Sequence, residues 1–259
     1  MQVTLTLSNN ATYRAILLEG GLDKILALPS MVAPDTNDWG DEDWVEVDTI
    51  SANRLEVQEL SVPLWFEGSG NPFPAVLSSP SVRMAIASEG SPSSAIEVSV
   101  RPKRIEDLEK TPMGWAGTLI CTRQEMVTSS SANWAEGLTI LEMANYTGVH
   151  MSPERKGDPQ VDDHASGVSY FDGGRTYKSA YTLEIPVLFK ADSLPTLWGK
   201  RRDLLSRLVD RGLRTIPAIT GQDSPKRGYY NSSSSTEVFL AHGGGLLLSM
   251  TLSFTITQL

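Results

Sequence analysis

A strand-like segment with a proline at its centre occurs twice in this chain, and that recurrence constrains the fold more than any single residue. Leu60-Ser61-Val62-Pro63-Leu64-Trp65-Phe66 becomes Leu183-Glu184-Ile185-Pro186-Val187-Leu188-Phe189 on a shift of 123 positions. The same shift takes Ile16-Leu17-Leu18-Glu19 to Thr139-Ile140-Leu141-Glu142. A shift of 133 takes Thr118-Leu119-Ile120-Cys121-Thr122 to Thr251-Leu252-Ser253-Phe254-Thr255. The growth in the shift predicts an insertion in the second copy, between its middle and last strands. Two copies of one β module point to assembly and symmetry before catalysis. The 259 residues suit two domains. The repeat puts them at 1–126 and 127–259, with Thr128–Ser131 as a polar linker.

The formal charge is −9, which argues against a nucleic-acid-binding surface. Apolar residues make up 40%, enough for a packed core in each half. The single cysteine, Cys121, allows no internal disulfide and reads as a buried structural thiol. No apolar run approaches the length of a membrane span. The N-terminus alternates from Val3 and lacks a signal-peptide pattern, so a protein made in a cytoplasm is expected, with no membrane insertion.

Period-two alternation predicts strands near Val3–Leu7, Thr12–Glu19, Arg54–Glu67, Ser94–Val100 and Trp115–Arg123. Pro63 predicts an edge or a bulge. Ala75–Ala87 is ambiguous, and the charged Arg101–Thr111 reads as a short helical insertion. In the second half Arg175–Lys190 is the long strand. Ser193–Arg211 is the clearest helix, with Ser193 as N-cap, Pro195 in the first turn and Gly212 as its stop. Its Leu197, Trp198, Leu204, Leu205 and Leu208 form an apolar side, with Lys200, Arg201, Arg202 and Asp203 largely opposite. Thr236–Ala241 and Leu246–Gln258 form the closing hairpin. The fold class is α+β, mainly β: antiparallel sheet plus one flanking helix in each module, the helix degraded in the first.

The long strand Tyr177–Phe189, the helix to Arg211, the Gly228-Tyr229-Tyr230 stretch and the strand Leu246–Gln258 resemble the tail-tube fold of phage tails. The resemblance is to distal tail and baseplate hub proteins, and the first module carries it more weakly. It implies tandem tail-tube-like modules in a closed ring of three or six chains, contacting the tail tube protein and tail-tip hub or fibre proteins. Tandem modules depart from distal tail proteins, which pair one such domain with a different one, and are closer to hub trimers. The resemblance implies a structural virion protein of the tail tip, surrounding a DNA channel without holding the DNA.

Free passage of DNA requires a lining poor in Lys and Arg. Glu56, Gln58, Glu59 and Glu184 are the candidates for that lining. Glu56 and Gln58 share the parity of Leu60, so they reach a lumen only if a bulge near Glu59 switches the faces. The basic helix is expected on the outside, with Arg202 or Arg207 meeting Asp41 and Asp43 of another domain. Trp39 and Trp44 are candidate anchors at that subunit interface.

Asp35–Glu46 has oxygen-bearing residues at positions one, three, seven and nine of a calcium loop, glycine at six and glutamate at twelve. Trp39 at position five and Glu42 at position eight break the pattern, so a solvated acidic loop is expected. His150, His164 with Asp162 and Asp163, and His242 would have to converge from distant loops to bind a metal. No cofactor or metal is expected. Serine-hydrolase, phosphate-loop and dinucleotide motifs are absent from the sequence, so an enzyme is not expected. The alternative is a tail-tip module binding host-surface carbohydrate or protein through exposed Trp39, Trp44 and Trp134.

Overall fold

The computed structural model describes residues 1–37, 46–48, 54–88, 94–141, 154–156, 161–163, 169–171, 176–178, 180–217, 225–241 and 244–258. The first half runs β1 (Gln2–Leu7), β2 (Thr12–Leu17), α1 (Gly21–Leu26), β3 (Thr36–Asn37), β4 (Glu46–Val47) and β5 (Gln58–Glu67). It continues through α2 (Phe73–Ser78), β6 (Val82–Ala87), β7 (Ile96–Thr111) and β8 (Gly114–Arg123). Strands β1-β2-β5-β8-β7-β6 close in that order into an antiparallel barrel.

The second half begins at β9 (Thr139–Ile140). Four short strands follow: β10 (Glu154–Lys156), β11 (Val161–Asp163), β12 (Ser169–Phe171) and β13 (Thr176–Lys178). They pair as β10 with β13 and β11 with β12. Then come β14 (Tyr181–Ala191), α3 (Leu194–Leu208), β15 (Arg214–Ile216), β16 (Lys226–Leu240) and β17 (Leu246–Gln258). The order in the main sheet is β15-β16-β17-β14-β9. Chain order for chain order, this is β6-β7-β8-β5-β2 of the barrel.

Alternation sets which faces are buried. Leu60, Val62, Leu64 and Phe66 of β5 point inward, as do Leu183, Ile185, Val187 and Phe189 of β14. Each such side chain contributes about 1.5–3 kcal/mol by leaving water. The barrel interior is filled by Leu5, Met84, Ile86 and Leu119, all without exposed surface, so no channel runs through it.

The pairings recur at the shifts read from the sequence. Ile16 and Leu17 pair with Trp65 and Leu64; Thr139 and Ile140 pair with Leu188 and Val187. Pro63 pairs with Thr118, and Pro186 with Thr251. The Pro63 carbonyl accepts from Leu18 N at 3.0 Å, and the Pro186 carbonyl from Leu141 N at 3.0 Å. Each proline thus sits in an internal strand with its missing N–H beyond the end of the short neighbour. Neither marks a bulge or an edge strand, because the short partner has already stopped.

Arg101–Thr111 is not helical but the outer part of β7, paired with β8. Its charges break the alternation because two register shifts, Pro102/Arg104 and Glu106/Glu109, turn them to solvent. Of the three irregularities in β16, Arg227/Gly228 has no counterpart, while Tyr230/Ser232 and Ser234/Glu237 match those of β7 at a shift of 128. Asp107 (φ 52°) and Ser235 (φ 49°) both take the left-handed conformation within them. The offset between the halves therefore grows in two steps. The first five residues fall between β5 and the β7 irregularities, where α3 has 15 residues against six in α2. The second five lengthen the hairpin tip before β17. Ala75–Ala87 splits at Pro80 into the end of α2 and β6.

Candidate functional site

Among the described residues, the most heavily bonded polar site lies where the halves meet. α3 starts where expected, with Ser193 Oγ accepting from Thr196 N at 3.4 Å, but it ends at Leu208 rather than Arg211. Its buried stripe is Leu194, Leu197, Arg201, Leu204, Leu205 and Leu208. Arg201 therefore faces inward, not outward with its basic neighbours, and is 0% exposed. Its guanidinium grips Glu125 with two bonds, of 2.8 and 2.6 Å. It also donates to the carbonyls of Leu26 at 2.7 Å and Ala27 at 2.6 Å. Those are terminal carbonyls of α1, which a cation suits.

Arg123, at the end of β8, reaches the same place. It donates to Ile25 O at 2.7 Å, Ala27 O at 3.1 Å and Gln58 Oε1 at 2.6 Å, and meets Glu125 Oε1 at 2.8 Å. The Trp198 ring lies 4.7 Å from the Arg201 guanidinium carbon and 5.8 Å from that of Arg123. Burial, and then the like charge of Arg201, press the Arg123 guanidinium below its ordinary range, while Glu125 opposes them. Two buried cations share one carboxylate, and backbone carbonyls supply the remaining neutralising dipoles. The one carboxylate of the site, Glu125, is taken up by both guanidinium groups. It holds α1, β5, β8 and α3 in one relation.

Gln58 is a correction to the proposed channel lining. The β5–β8 register is continuous from Gln58 to Glu67, so no bulge switches the faces. Gln58 remains on the side of Leu60 and is held by Arg123. Glu56 is exposed, and its N–H donates to Ser30 O at 2.9 Å. Glu59 and Glu184 lie on the outer faces of β5 and β14. Glu59 is not a free negative charge. Lys103 Nζ stands 2.8 Å from it and Arg104 3.8 Å, and Lys103 holds its carboxyl below the usual range.

Arg202 is exposed. Arg207 is another correction: it is engaged within the chain, 2.6 Å from Asp203 and donating to the carbonyls of Asn133 and Glu136. That pairing follows from the i, i+4 spacing on α3. Trp134 is not available to a ligand. It is 2% exposed, donates to Thr215 O at 2.9 Å and packs 5.0 Å from the Phe254 ring. A groove of about 260 Å³ beside it is walled by Phe189, Leu204, Asp203 and Arg207.

Trp39, Asp41, Asp43, Trp44, His150, His164 and His242 lie outside the described residues. The ends of the calcium-like loop are described. Thr36 and Asn37 ladder with Val47 and Glu46, so strands flank it. Among the described residues no group of three or more metal-ligating side chains forms, and no helix is long and apolar enough to cross a membrane. Cys121 is buried, which pushes its thiol up to about 12.

The arginine site had one signal in the sequence: Arg201 falls on the leucine stripe. The run Lys200-Arg201-Arg202 concealed it by reading as one solvated face. Comparison with protein-family models, curated proteins and solved structures returns no match for this chain.

Proposed function

We propose that this chain is a structural ring subunit of a phage tail tip or baseplate, built from two tandem tail-tube-like modules that arose by duplication. The observation that carries the reading is the recurrence of strand order, proline pairing and paired irregularities in the two halves. A repeat retained at the level of single hydrogen bonds suits a protein whose halves occupy equivalent places in a pseudo-symmetric assembly. The ring joins the tail tube to the tip complex. The channel lies outside the filled barrel, between subunits, and Glu56, Glu59 and Glu184 remain its candidate lining.

The buried seam supports the same reading. A mechanical ring needs its two modules fixed, and the Arg123–Glu125–Arg201 site fixes them. The adhesion reading is weakened because Trp134 is buried. Imaging the purified protein by negative-stain electron microscopy tests the proposal. Rings with a central opening, and a light-scattering mass of three or six times 28.2 kDa, are expected. A protein that stays monomeric at high concentration overturns the ring.

A further inference from the structure

We propose that the groove over Phe189 takes the tip of the β16–β17 hairpin of a neighbouring copy of this chain, with Phe239 as the side chain that enters it. The groove holds about 260 Å³. That is less than the roughly 300–1,000 Å³ of small-molecule pockets, and it suits one or two anchoring side chains. Its floor is apolar: Phe189, Leu204 and Trp134 line it, none more than 3% exposed. Phe66 is the counterpart of Phe189 at the shift of 123, and the Phe73 ring meets it edge-on at 4.9 Å. Among the described residues, no ring meets Phe189 in this way. One core position thus has an aromatic partner in the first half and borders a groove in the second.

The hairpin tip carries an apolar patch that fits such a groove. Phe239 is 46% exposed and is the one aromatic among the exposed large apolar residues described. Leu240, next to it, is the most exposed of them, at 86%. Single apolar residues are ordinary on a surface, but these two stand together. The tip is also held in shape. Ala241 N donates to Gly245 O at 3.0 Å, and Gly244 N to Ala241 O at 3.0 Å. A Cβ on Gly245 would stand 2.9 Å from Ala191 O, so the turn lies close on the end of β14. A tip fixed in advance loses little conformational freedom on binding. It cannot enter the groove of its own chain through Phe239. Lys190, Leu247 and Phe239 form one cross-strand row. Phe189 precedes Lys190 and faces the other side of the sheet. The contact is therefore made between copies.

The charges agree with this pairing. Glu237 is exposed, two residues before Phe239 on the same face, and Lys190 is exposed at the other end of the row. The groove is rimmed by Lys200, Glu136 and Asp203, all exposed. Asp203 is taken by Arg207 at 2.6 Å, whereas Glu136 stands 3.7 Å from it. An apolar group between an acid and a base thus meets an apolar floor between a base and an acid, with Glu237 set against Lys200 and Lys190 against Glu136. The contact joins unlike surfaces and closes into a ring when the rotation between copies permits.

The inference rests on the self-association proposed above and adds which surfaces make it. Phe239→Ser with Leu240→Ser changes side chains at an exposed tip, and unchanged circular dichroism checks that the fold is kept. Sedimentation velocity should show this variant associating at least about tenfold more weakly than wild type. Glu237→Lys and Lys200→Glu should each weaken association by about threefold or more. The two together should return it to within about twofold of wild type. A wild type that stays monomeric at high concentration overturns this inference and the ring alike. A tip variant that associates as wild type does overturns the inference and leaves the ring standing. Single charge reversals without effect, or a double reversal that restores nothing, take the tip out of this groove and overturn the inference too.

Discussion

Among the described residues, the first half closes its sheet and the second does not. β1 pairs with both β2 and β6, which makes a barrel that covers its own core. No described strand joins β9 to β15, and the second sheet is covered instead by α3, by Trp134 and by the seam. The helices follow the same division. Six residues suffice for α2 beside a closed barrel, where Phe73 fills the gap edge-on to Phe66 at 4.9 Å. The open sheet uses the 15 residues of α3. Equivalent core positions differ as well: Cys121 in the barrel is Phe254 in the open sheet, where Trp134 and Tyr230 pack on it. One strand order can thus be completed by a strand or by a helix with a neighbouring module. The second solution makes one half depend on the other.

That dependence is easiest to break at Arg201. Arg201→Ala removes the bidentate grip on Glu125 and the bonds to α1, leaving buried acceptors unpaired. A loss of about 3–5 kcal/mol is expected from breaking a buried pair. Calorimetry should show more than size. The second half should melt before the barrel, splitting one transition into two. Arg202→Ala, on the exposed side of the same turn, should change stability by less than about 0.5 kcal/mol. Equal effects from the two would mean that the seam is not what holds the open half.

The comparison also shows what was legible in the sequence. The two proline strands, their shift of 123 and the N-cap of α3 all appear in the fold because they follow from local chemistry: period-two burial, a missing N–H, a serine before a helix. β7 was not legible because its bulges move charged residues out of alternation, and a charged run without period reads as helix or loop. Closure of the barrel was not legible either. Met1–Leu7 announces a strand, but nothing local says that it pairs with β6 rather than standing at an edge. Arg201 and Gln58 belong to the same class. Their roles come from partners 76 and 65 residues away, Glu125 and Arg123, which no local pattern connects.

The core difference at Cys121 and Phe254 can be sharpened with pH. The folded thiol titrates near 12, above its ordinary 9.0, because it is buried. Its contribution to stability is full below the unfolded value and is lost as pH rises from about 9 towards 12. Cys121→Val removes this term at similar volume. Between pH 8 and pH 10.5 the variant should gain about 1–2 kcal/mol on wild type in urea melts. Tyr230 is raised by burial too, but it is present in both proteins and cancels in the difference. A constant difference across this range would mean that Cys121 is reached by solvent, and that the barrel core is less closed than its burial indicates.

The smallest expected effect tests the equivalence of the halves most directly. Asp107 and Ser235 occupy matching bulges with φ of 52° and 49°. A left-handed conformation costs an L-residue on the order of 1 kcal/mol, less for aspartate, and glycine escapes that cost. Glycine also makes the unfolded chain more flexible, which takes back about 0.4–1 kcal/mol. The balance should be near zero for Asp107→Gly and a gain of a few tenths of a kcal/mol for Ser235→Gly. The residue identities, not the backbone, set that difference. Asp107→Ser should therefore bring the first bulge into line with the second. The stability of Asp107→Gly, measured against Asp107→Ser, should show the same gain as Ser235→Gly measured against wild type. Denaturant melts of these variants and wild type decide it. Serine-to-glycine differences of opposite sign at the two positions would show that the bulges share a sequence offset but not a backbone environment.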